Sequence, residues 1–437
     1  MDGDKRQSAR RIPKERYLSR EFLQREKDRL WPRVWQVACR LEEIPKVGDY
    51  VTYDVADETI VVVRTAADRI KAYHNVCPHR GRQLVQGCGH AINFRCPYHG
   101  WTFSIEGRNV HVQDRQDYGD TLNPSELDLL EVKLDTWGGF VFVNMDPACE
   151  PLAEFLDPLP EYLDDFEFEN MRYRWYVTTV MPANWKATLE GFMEGYHVAA
   201  THPQLLRYLG DDYTQSYALG KHAHFGYWDI KAPPGMPSPR LKGSGEGGDV
   251  RAGVVAFFEM FEQQLAAIWT DRDYEAAKAA MAKAPADIDV ITAFGMAVEA
   301  GRAAAEAEGA GYPPKLTFEK LARAGSDFHI FPNCVTLPWF DGTLWYRARP
   351  NGDDPDSCIF DIWSLKRYAP GKEPPLQRRK VDLKAGDSVC VILDQDLNNL
   401  DHITRGMKSR GFSAARPNPV QEVEISHFHS TLDRYLD

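Results

Sequence analysis

The chain has 437 residues, of which 43% are hydrophobic and 12% aromatic, proportions typical of a globular protein with two or three domains. Its formal net charge of -12 at pH 7 argues against nucleic acid or anionic membranes as general partners. No apolar run approaches the roughly 18 residues that span a bilayer, and the start lacks the apolar segment of a secretory signal. Eight scattered cysteines predict a reducing cytoplasm, with the thiols free or metal-bound.

The first part of the chain predicts one helix followed by a β module. Residues 17–35 favour a leading helix, and Pro32 closes its last turn. Short β-like runs punctuated by glycine then predict a compact all-β module over residues 36–147. These runs are 49–53, 59–64, 70–75, 91–94 and 140–144. Pro151, Pro158 and Pro160 mark a linker after the module.

Two loops inside this module each supply one thiol and one imidazole. The first contains Cys77 and His79, and the second contains Cys96 and His99. Thiolates suit one iron of a two-iron, two-sulfide cluster, and histidines in place of cysteines on the other iron raise its potential. A structural zinc site is the alternative, because two cysteines and two histidines also satisfy tetrahedral zinc. Zinc ligands usually come as Cys-x-x-Cys and His-x-x-x-His pairs, so the spacing here favours the iron–sulfur cluster.

Residues 184–202 predict a helix with apolar residues at helical spacing. Glu190, Glu194 and His197 would share one face, whereas His202 is turned well off it. The helix should therefore end or bulge between the two histidines if both rings bind one metal ion. Together with a carboxylate from elsewhere they would form a facial triad that leaves positions on a ferrous ion open for dioxygen. The alternative is an amphipathic core helix with incidental histidines.

A long excursion over about 205–325 is predicted to be a helical insertion. Its elements are a mobile loop at 231–248, a stripe of Phe257, Phe261, Leu265 and Ile268, and alanine-rich runs at 274–286 and 291–309. Such a stripe favours packing over a pocket wall. Strands at 329–335, 343–349 and 359–366 then complete the sheet of a second domain. The remaining histidines without a ligand constellation are predicted to be structural: His222, His224, His402, His427 and His429.

The third iron ligand must come from far along the chain. Asp394, Asp396 and Asp401 are all candidates, because they lie where an apolar run becomes helical. Their spacing alone leaves the choice among them open. The chain also lacks a glycine-rich nucleotide fingerprint, so NADH and flavin should belong to a partner protein.

These segments together resemble the α subunits of Rieske non-heme iron oxygenases, the aromatic-ring-hydroxylating group. The resemblance rests on the two cluster loops, on residues 137–142, on residues 184–202 and on the C-terminal stretch, and it covers most of the chain. It implies an α+β protein in which an all-β Rieske domain (36–147) is inserted before a helix-grip catalytic domain (148–437). In the helix grip an antiparallel sheet wraps around a long helix, and residues 1–35 pack with this domain.

The resemblance also implies roles for individual residues. Asp396 matches the third iron ligand, with Asp394 as the alternative because Gln395 and Thr404 depart from the family pattern. Glu194 matches a carboxylate that links a cluster histidine of one subunit to an iron histidine of its neighbour. Gly191 stands where ring dioxygenases often have Asn, which leaves dihydroxylation open.

The implied activity is that of a terminal oxygenase component with a [2Fe-2S] cluster and a mononuclear Fe(2+). It would use dioxygen, and electrons from a partner reductase with or without a ferredoxin, to hydroxylate or demethylate an apolar, aromatic substrate. The implied assembly is a homotrimer, with or without a small β subunit. Two alternatives remain: a Rieske electron-transfer protein fused to a ligand-binding domain without oxygenase activity, and a zinc-stabilised binding protein.

Overall fold

The structure, a computed structural model, describes residues 10–241 and 248–437. The chain divides into two compact units. Gln24–Phe155, together with Leu436, form the first, here called the β unit. The described residues up to Leu23, together with Leu156–Tyr435 and Asp437, form the second, here called the α+β unit. Among the residues described, no helix is long and apolar enough to cross a membrane.

The described chain opens with strand β1 (Ile12–Pro13) and two helices, α1 (Glu15–Leu18) and α2 (Arg20–Arg29). The prediction of one helix over 17–35 is therefore wrong. Ser19 interrupts it, because the Ser19 Oγ accepts the N–H of Phe22 at 3.0 Å and caps α2. Helix α2 also ends before Pro32, whose ring disfavours helical geometry in the preceding residue.

The β unit contains ten strands in two sheets. They are β2 (Gln36–Arg40), β3 (Asp49–Val55), β4 (Glu58–Ala66), β5 (Arg69–His74), β6 (Cys88–His90), β7 (Asn93–Arg95), β8 (Thr102–Ser104), β9 (Asn109–His111), β10 (Glu131–Trp137) and β11 (Phe140–Asn144). The order in the larger sheet is β2-β11-β10-β5-β4-β3-β6, and β7-β8-β9 form the smaller one. The predicted strands at 49–53, 59–64, 70–75 and 140–144 are confirmed.

The predicted strand at 91–94 is confirmed only in its second half. The chain leaves β6 at His90 and enters β7, in the other sheet, at Asn93. Between them the N–H of Ala91 donates to the carbonyl of Gly48 at 2.9 Å, and the Ile92 side chain is exposed. Ala91 and Ile92 therefore form the connection between two sheets, whereas Phe94 lies in β7.

The unit boundaries differ from the predicted ones. Residues 24–35, expected to pack with the second domain, belong to the β unit. The Lys27 Nζ lies 2.7 Å from a carboxylate oxygen of Asp57, and the Asn144 side-chain amide donates to the carbonyl of Arg33 at 3.2 Å. The other boundary falls after Phe155, whereas 147 was predicted. The segment predicted as a linker contains the short helices α3 (Leu152–Leu156) and α4 (Pro160–Leu163).

The α+β unit holds the remaining elements. They are β12 (Met171–Met181), α5 (Trp185–Glu190), α6 (Val198–Thr201), β13 (Gln215–Leu219), β14 (His222–Gly226), α7 (Val250–Gln264), α8 (Asp271–Met281), α9 (Val290–Ala307), α10 (Phe318–Ala324), β15 (Asp327–Ile330), β16 (Cys334–Pro338), β17 (Gly342–Asn351), β18 (Asp354–Arg367), β19 (Arg378–Val381), α11 (Val391–Met407), β20 (Ala414–Ala415) and α12 (Val423–Leu436). The order of the eight-stranded sheet is β13-β14-β15-β16-β17-β18-β12-β19. Its neighbouring strands are antiparallel except for the parallel pair β12 and β19. This sheet and its helices confirm the α+β class.

Two predictions for this unit need correction. The helical insertion does not start at 205, because β13 and β14 belong to the sheet and the helices run only from α7 to α10. The predicted strand at 329–335 is two strands, β15 and β16, which are separated at Phe331–Asn333 by a turn that contains Pro332. The loop predicted at 231–248 falls partly on residues 242–247, which lie outside the described residues.

The aromatic stripe that begins on α7 is packing, as predicted. Phe257, Phe261, Leu265 and Ile268 are all buried. The rings of Phe257 and Phe261 lie 5.7 and 4.8 Å from that of Trp269, centroid to centroid. The stripe therefore stabilises the helical segment through aromatic contacts.

Candidate metal centres

The two predicted cluster loops of the β unit have closely related turns. One follows β5 and the other follows β7. The N–H of Gly81 donates to the carbonyl of Cys77 at 3.0 Å, and the N–H of Gly100 donates to that of Cys96 at 3.0 Å. Both glycines have a left-handed backbone, with φ of 75° and 73°, which other residues adopt only with strain. Each loop is thus a closed turn that starts at its cysteine.

The donor atoms of these loops fit a two-iron, two-sulfide cluster. The Nδ1 atoms of His79 and His99 are buried without a hydrogen-bond partner, and the two rings lie 4.6 Å apart. Cys77 and Cys96 are buried within the core of the same unit. Burial raises the pKa of the Cys77 thiol to about 11, so the thiolate needs a metal to form near neutral pH. Trp101 stacks on His79 at 4.8 Å and holds its ring in place.

The segment predicted as one helix over 184–202 is interrupted twice. Asn184 caps α5 by accepting the N–H of Lys186 at 3.1 Å, and the helix ends at Glu190. No regular helix follows until α6 begins at Val198, and α6 ends at Thr201, before His202. The predicted end of the helix between the two histidines is therefore confirmed, whereas the shared helix face of Glu190, Glu194 and His197 is wrong.

His197 and His202 flank the single turn of α6, one at each end. Both rings turn towards Asp396 on α11: its Oδ1 lies 3.4 Å from the Nε2 of His197 and 2.8 Å from the Nε2 of His202. The donor atoms of all three residues lie within 4.8 Å of one another. Neighbouring ligands about 2.1 Å from a metal lie roughly 3 Å apart, so this set fits a shared metal ion.

Asp394, the alternative candidate for the third iron ligand, has other hydrogen-bond partners. It accepts the N–H of Val389 at 2.9 Å and the hydroxyl of Ser388, and so ties the residues before α11 to the first turn of this helix. Asp401 pairs instead with Arg405 at 2.7 Å on the exposed side of the helix. Of the three candidates only Asp396 approaches the histidines. Burial alone would raise its pKa, but the hydrogen bonds of the two histidines outweigh burial and lower it.

The Nδ1 atoms of the histidines are held by other partners, so that each Nε2 faces Asp396. Glu194 accepts from the Nδ1 of His197 at 2.7 Å and from the N–H of the same residue at 3.0 Å. Gln395 accepts from the Nδ1 of His202 at 2.8 Å and from the side chain of Gln204 at 2.7 Å. Such partners fix the tautomer and the orientation of a metal-binding imidazole. The positioning role of Gln395 was not predicted, because in the sequence this residue stands out only as a departure from the family pattern.

Glu190 belongs to a separate buried network. The Tyr17 hydroxyl donates to Glu190 at 2.9 Å, and the Nε2 of His429 donates to it at 2.8 Å. The Arg16 Nε donates to the Nδ1 of His429 at 2.9 Å, so this ring is neutral and carries its proton on Nε2. The network joins α1, α5 and α12 and explains why His429 is structural, as predicted.

This network predicts a pH-dependent stability. Burial raises the pKa of Glu190 to about 8, far above its usual value, so folding takes up a proton between these two values. The stabilisation is full at acid pH and is lost as the pH rises through about 8. Glu190→Gln keeps the shape and hydrogen bonds without the charge. Its stability relative to wild type should increase by roughly 1–4 kcal/mol from pH 5 to pH 8. Urea unfolding at both pH values measures this difference, and parallel pH profiles would contradict it.

Three aromatic side chains of the α+β unit pack against one another. The ring of Tyr346 on β17 lies 4.2 Å from that of Phe192 and 5.7 Å from that of Phe360, which is nearly parallel to it. Burial raises the pKa of Tyr346, and the charge of Asp396 raises it further. These three rings are here called the aromatic wall.

Family models match both parts of the chain. A model described as the catalytic domain of ring-hydroxylating α subunits matches residues 168–437, which is more than half of the sequence. A Rieske [2Fe-2S] domain model matches residues 34–123. The second match contains both cluster loops, and the first contains all three residues that converge at α6 and α11.

Curated relatives match over part of their length. The carnitine monooxygenase oxygenase subunit of Escherichia coli (strain K12) is 30% identical over 248 residues, which are 56% of this chain and 64% of that protein. The glycine betaine monooxygenase oxygenase subunit of Chromohalobacter salexigens is 33% identical over 205 residues, 47% of this chain and 46% of that protein. The match thus spans about half to two thirds of these relatives.

A solved structure of a quaternary ammonium Rieske monooxygenase shares the fold with a TM-score of 0.65 and 19% identity. The likeness covers 98% of this chain and 95% of that one. Together with the catalytic-domain match, it accounts for both units. The chain therefore belongs to the ring-hydroxylating α-subunit family of Rieske oxygenases, whose members carry a [2Fe-2S] cluster and a mononuclear non-heme iron.

Proposed function

We propose that this chain is the terminal oxygenase component of a multicomponent Rieske oxygenase. Cys77, His79, Cys96 and His99 would hold the [2Fe-2S] cluster, and His197, His202 and Asp396 the mononuclear iron. When bound, the cluster supplies single electrons and the ferrous ion supplies dioxygen activation. The observation that carries the proposal is the convergence of two imidazole Nε2 atoms and one carboxylate at α6 and α11. An electron-transfer protein without oxygen chemistry would not need this second site.

The chain's own residues prepare that site. Glu194 and Gln395 hold protons on the Nδ1 atoms of His197 and His202, which keeps both Nε2 atoms available as ligands. Asp396 stays ionised because the two histidines lower its pKa. Three protein ligands would leave coordination positions of a ferrous ion open for dioxygen, and the substrate would bind beside them. We further propose that Glu194 passes electrons to His197 from a cluster histidine.

For the substrate we propose a small molecule with a quaternary ammonium group. The support is that two relatives at 30% and 33% identity are named for carnitine and glycine betaine. The aromatic substrate predicted from the resemblance is the second candidate. The aromatic wall of Phe192, Tyr346 and Phe360 favours either one, since rings stack on aromatic substrates and attract cations on their faces.

The partners remain as predicted from the sequence. A reductase that binds NADH and flavin, with or without a ferredoxin, would supply the electrons. The assembly would be a homotrimer, with or without a small β subunit. The solved quaternary ammonium monooxygenase is described with inter-subunit electron transfer, which supports a multi-subunit assembly here. The cytoplasmic location is likewise a proposal.

Metal content and product formation test the proposal together. The purified protein should be reddish-brown, contain about three irons per chain and show a Rieske-type paramagnetic spectrum when reduced. With a surrogate reductase it should add oxygen from O2 to choline, carnitine or glycine betaine, or to an aromatic compound, detected by product mass. Two irons per chain and no oxygen consumption would support the electron carrier, and a colourless zinc protein would support the binding protein.

A further inference from the structure

The two histidines of the proposed iron site donate to chemically different acceptors. The Nδ1 of His197 donates to a carboxylate oxygen of Glu194 at 2.7 Å, whereas the Nδ1 of His202 donates to the amide oxygen of Gln395 at 2.8 Å. Hydrogen bonds to a charged acceptor are roughly twice as strong as those to a neutral one. The acceptor behind a metal-binding imidazole affects how strongly the ring donates to the metal, so these two rings are unequal ligands.

A second glutamine fixes the orientation of the Gln395 amide. The Nε2 of Gln204 donates to the Oε1 of Gln395 at 2.7 Å, and the Nε2 of Gln395 donates to the Oε1 of Gln204 at 3.4 Å. The Gln395 oxygen therefore accepts from two N–H groups, one of Gln204 and one of His202. If this amide turned over, its NH2 group would face the Nδ1 proton of His202, and two donors would meet. The amide pair thus has one favourable orientation whenever this Nδ1 carries the proton.

The amide pair joins the two segments that supply the proposed iron ligands. Gln204 follows His202 by two residues, and Gln395 directly precedes Asp396 on α11. Both glutamines are partly buried, and His202 is buried. A rotation of the Gln395 amide would therefore reach one proposed ligand through a hydrogen bond and the other through the backbone.

The neutral amide also limits the negative charge around the metal position. Asp396 faces the Nε2 atoms of both histidines, and Glu194 lies behind His197. These two carboxylates match the charge of a ferrous ion. A third carboxylate, at position 395, would stabilise ferric iron more than ferrous iron, because the Coulomb energy scales with the charge of the ion. The Gln395 amide accepts the Nδ1 proton of His202 without adding that charge.

We propose that Gln395, oriented by Gln204, is a positioning residue that favours the ferrous over the ferric state of the mononuclear iron. It would hold the His202 ring with an uncharged acceptor, while Glu194 holds the His197 ring with a charged one. The inference rests on the proposed function, because that function places iron between these residues. Oxygenases with two histidines and one carboxylate use ferrous iron, so a site that favours this state suits the proposed reaction.

Gln395→Glu tests the role of charge in the full-length, metal-loaded protein. Glutamate has the same length and keeps an oxygen for the Nδ1 of His202, so the main change is one negative charge. In a redox titration followed by the ferric paramagnetic signal, the midpoint potential of the mononuclear iron should fall by at least about 59 mV, which corresponds to a tenfold tighter relative binding of ferric iron. An unchanged or higher midpoint potential would overturn the proposal.

Asn399→Asp is the matched control, since it also changes an amide to a carboxylate on α11. Asn399 is exposed, and its side chain donates to the Oγ1 of Thr201 at 3.4 Å rather than to an iron-site histidine. Solvent screens a charge at this position, so the midpoint potential should shift much less than in Gln395→Glu. Equal shifts in the two variants would mean that any charge on this helix has the same effect, and would overturn the specific role of Gln395.

A pair of methionine variants tests whether Gln204 acts through Gln395. Methionine is unbranched and of similar length but has no amide. Equilibrium dialysis against ferrous iron should show about tenfold weaker binding by Gln204→Met and at least as large a loss by Gln395→Met, as for other partners of metal ligands. The double variant should bind iron no more weakly than Gln395→Met alone. Losses that add up would give Gln204 a separate structural role and overturn its part in the proposal.

Metal content and turnover separate this inference from the proposed function. Gln395→Glu leaves every proposed ligand in place, so three irons per chain and the Rieske spectrum should persist, and loss of the mononuclear iron from this variant would also contradict the proposal. Wild-type protein with three irons and oxygen-dependent product formation, together with an unchanged midpoint potential in Gln395→Glu, would overturn only the inference. Wild-type protein without mononuclear iron would overturn the proposed function, and the inference with it.

Discussion

Asp396→Ala is expected to remove the mononuclear iron and abolish turnover while the Rieske spectrum stays intact. Asp396 is the carboxylate that approaches both histidines, at 2.8 and 3.4 Å. Removing even an outer partner of a ligand typically costs 10–100-fold in metal affinity, so loss of a ligand should cost more than about 100-fold. The measurements are iron per chain, the reduced-state paramagnetic spectrum and product formation.

Asp394→Ala is the matched control, two positions away on the same helix. Asp394 accepts hydrogen bonds from Val389 and Ser388, so its loss should cost about 1 kcal/mol of stability and leave the iron bound. The reverse pattern, with activity kept in Asp396→Ala and lost in Asp394→Ala, would move the third ligand two residues upstream. The pair of variants therefore tests the assignment without relying on a single loss of function.

The cluster loops could be predicted because each supplies its ligands from a few neighbouring residues. Cys77 with His79, and Cys96 with His99, carry their chemistry and their turn-forming glycines within one short segment. The choice among three aspartates could not be made in this way from spacing alone. It depends on which side of α11 meets α6, and that is a property of the tertiary packing.

The break after Glu190 was missed although a signal was present. Trp185, Leu189 and Phe192 recur at helical spacing, and this periodicity predicted a continuous helix. Gly191 ends α5, and Gly195 lies where an added Cβ would come within 2.7 Å of the Thr214 side chain. Two glycines four residues apart therefore indicated close packing of an irregular segment.

The Glu190 network could not be predicted because its members are far apart in the chain. Tyr17, Glu190 and His429 meet only after the first and last helices of the α+β unit have packed. In its own sequence segment Glu190 looks like an ordinary surface charge.

Glu194→Gln is expected to leave both metals bound and the cluster reducible, but to stop electron transfer between them. The Glu194 carboxylate already accepts from the Nδ1 and from the backbone N–H of His197. In the glutamine variant the side-chain NH2 group would face either the Nδ1 or the backbone N–H of His197, both of which are donors. The variant would also lack the charged oxygen that can accept from a second imidazole. Glu194→Asp keeps the charge and is the control that should retain part of the turnover. Single-turnover reduction of the mononuclear iron distinguishes the two variants.

Hybrid trimers test whether this transfer crosses subunits. Cys96→Ser should lose the cluster and its spectrum, whereas His202→Ala should keep the cluster and lose the mononuclear iron; each protein alone should be inactive. In a head-to-tail ring of three mixed at random in equal amounts, about one junction in four joins an intact cluster to an intact iron. Mixing should therefore restore about a quarter of the wild-type activity. Hybrids shown to form by mass that recover no activity would mean that the cluster and the iron of one subunit serve each other.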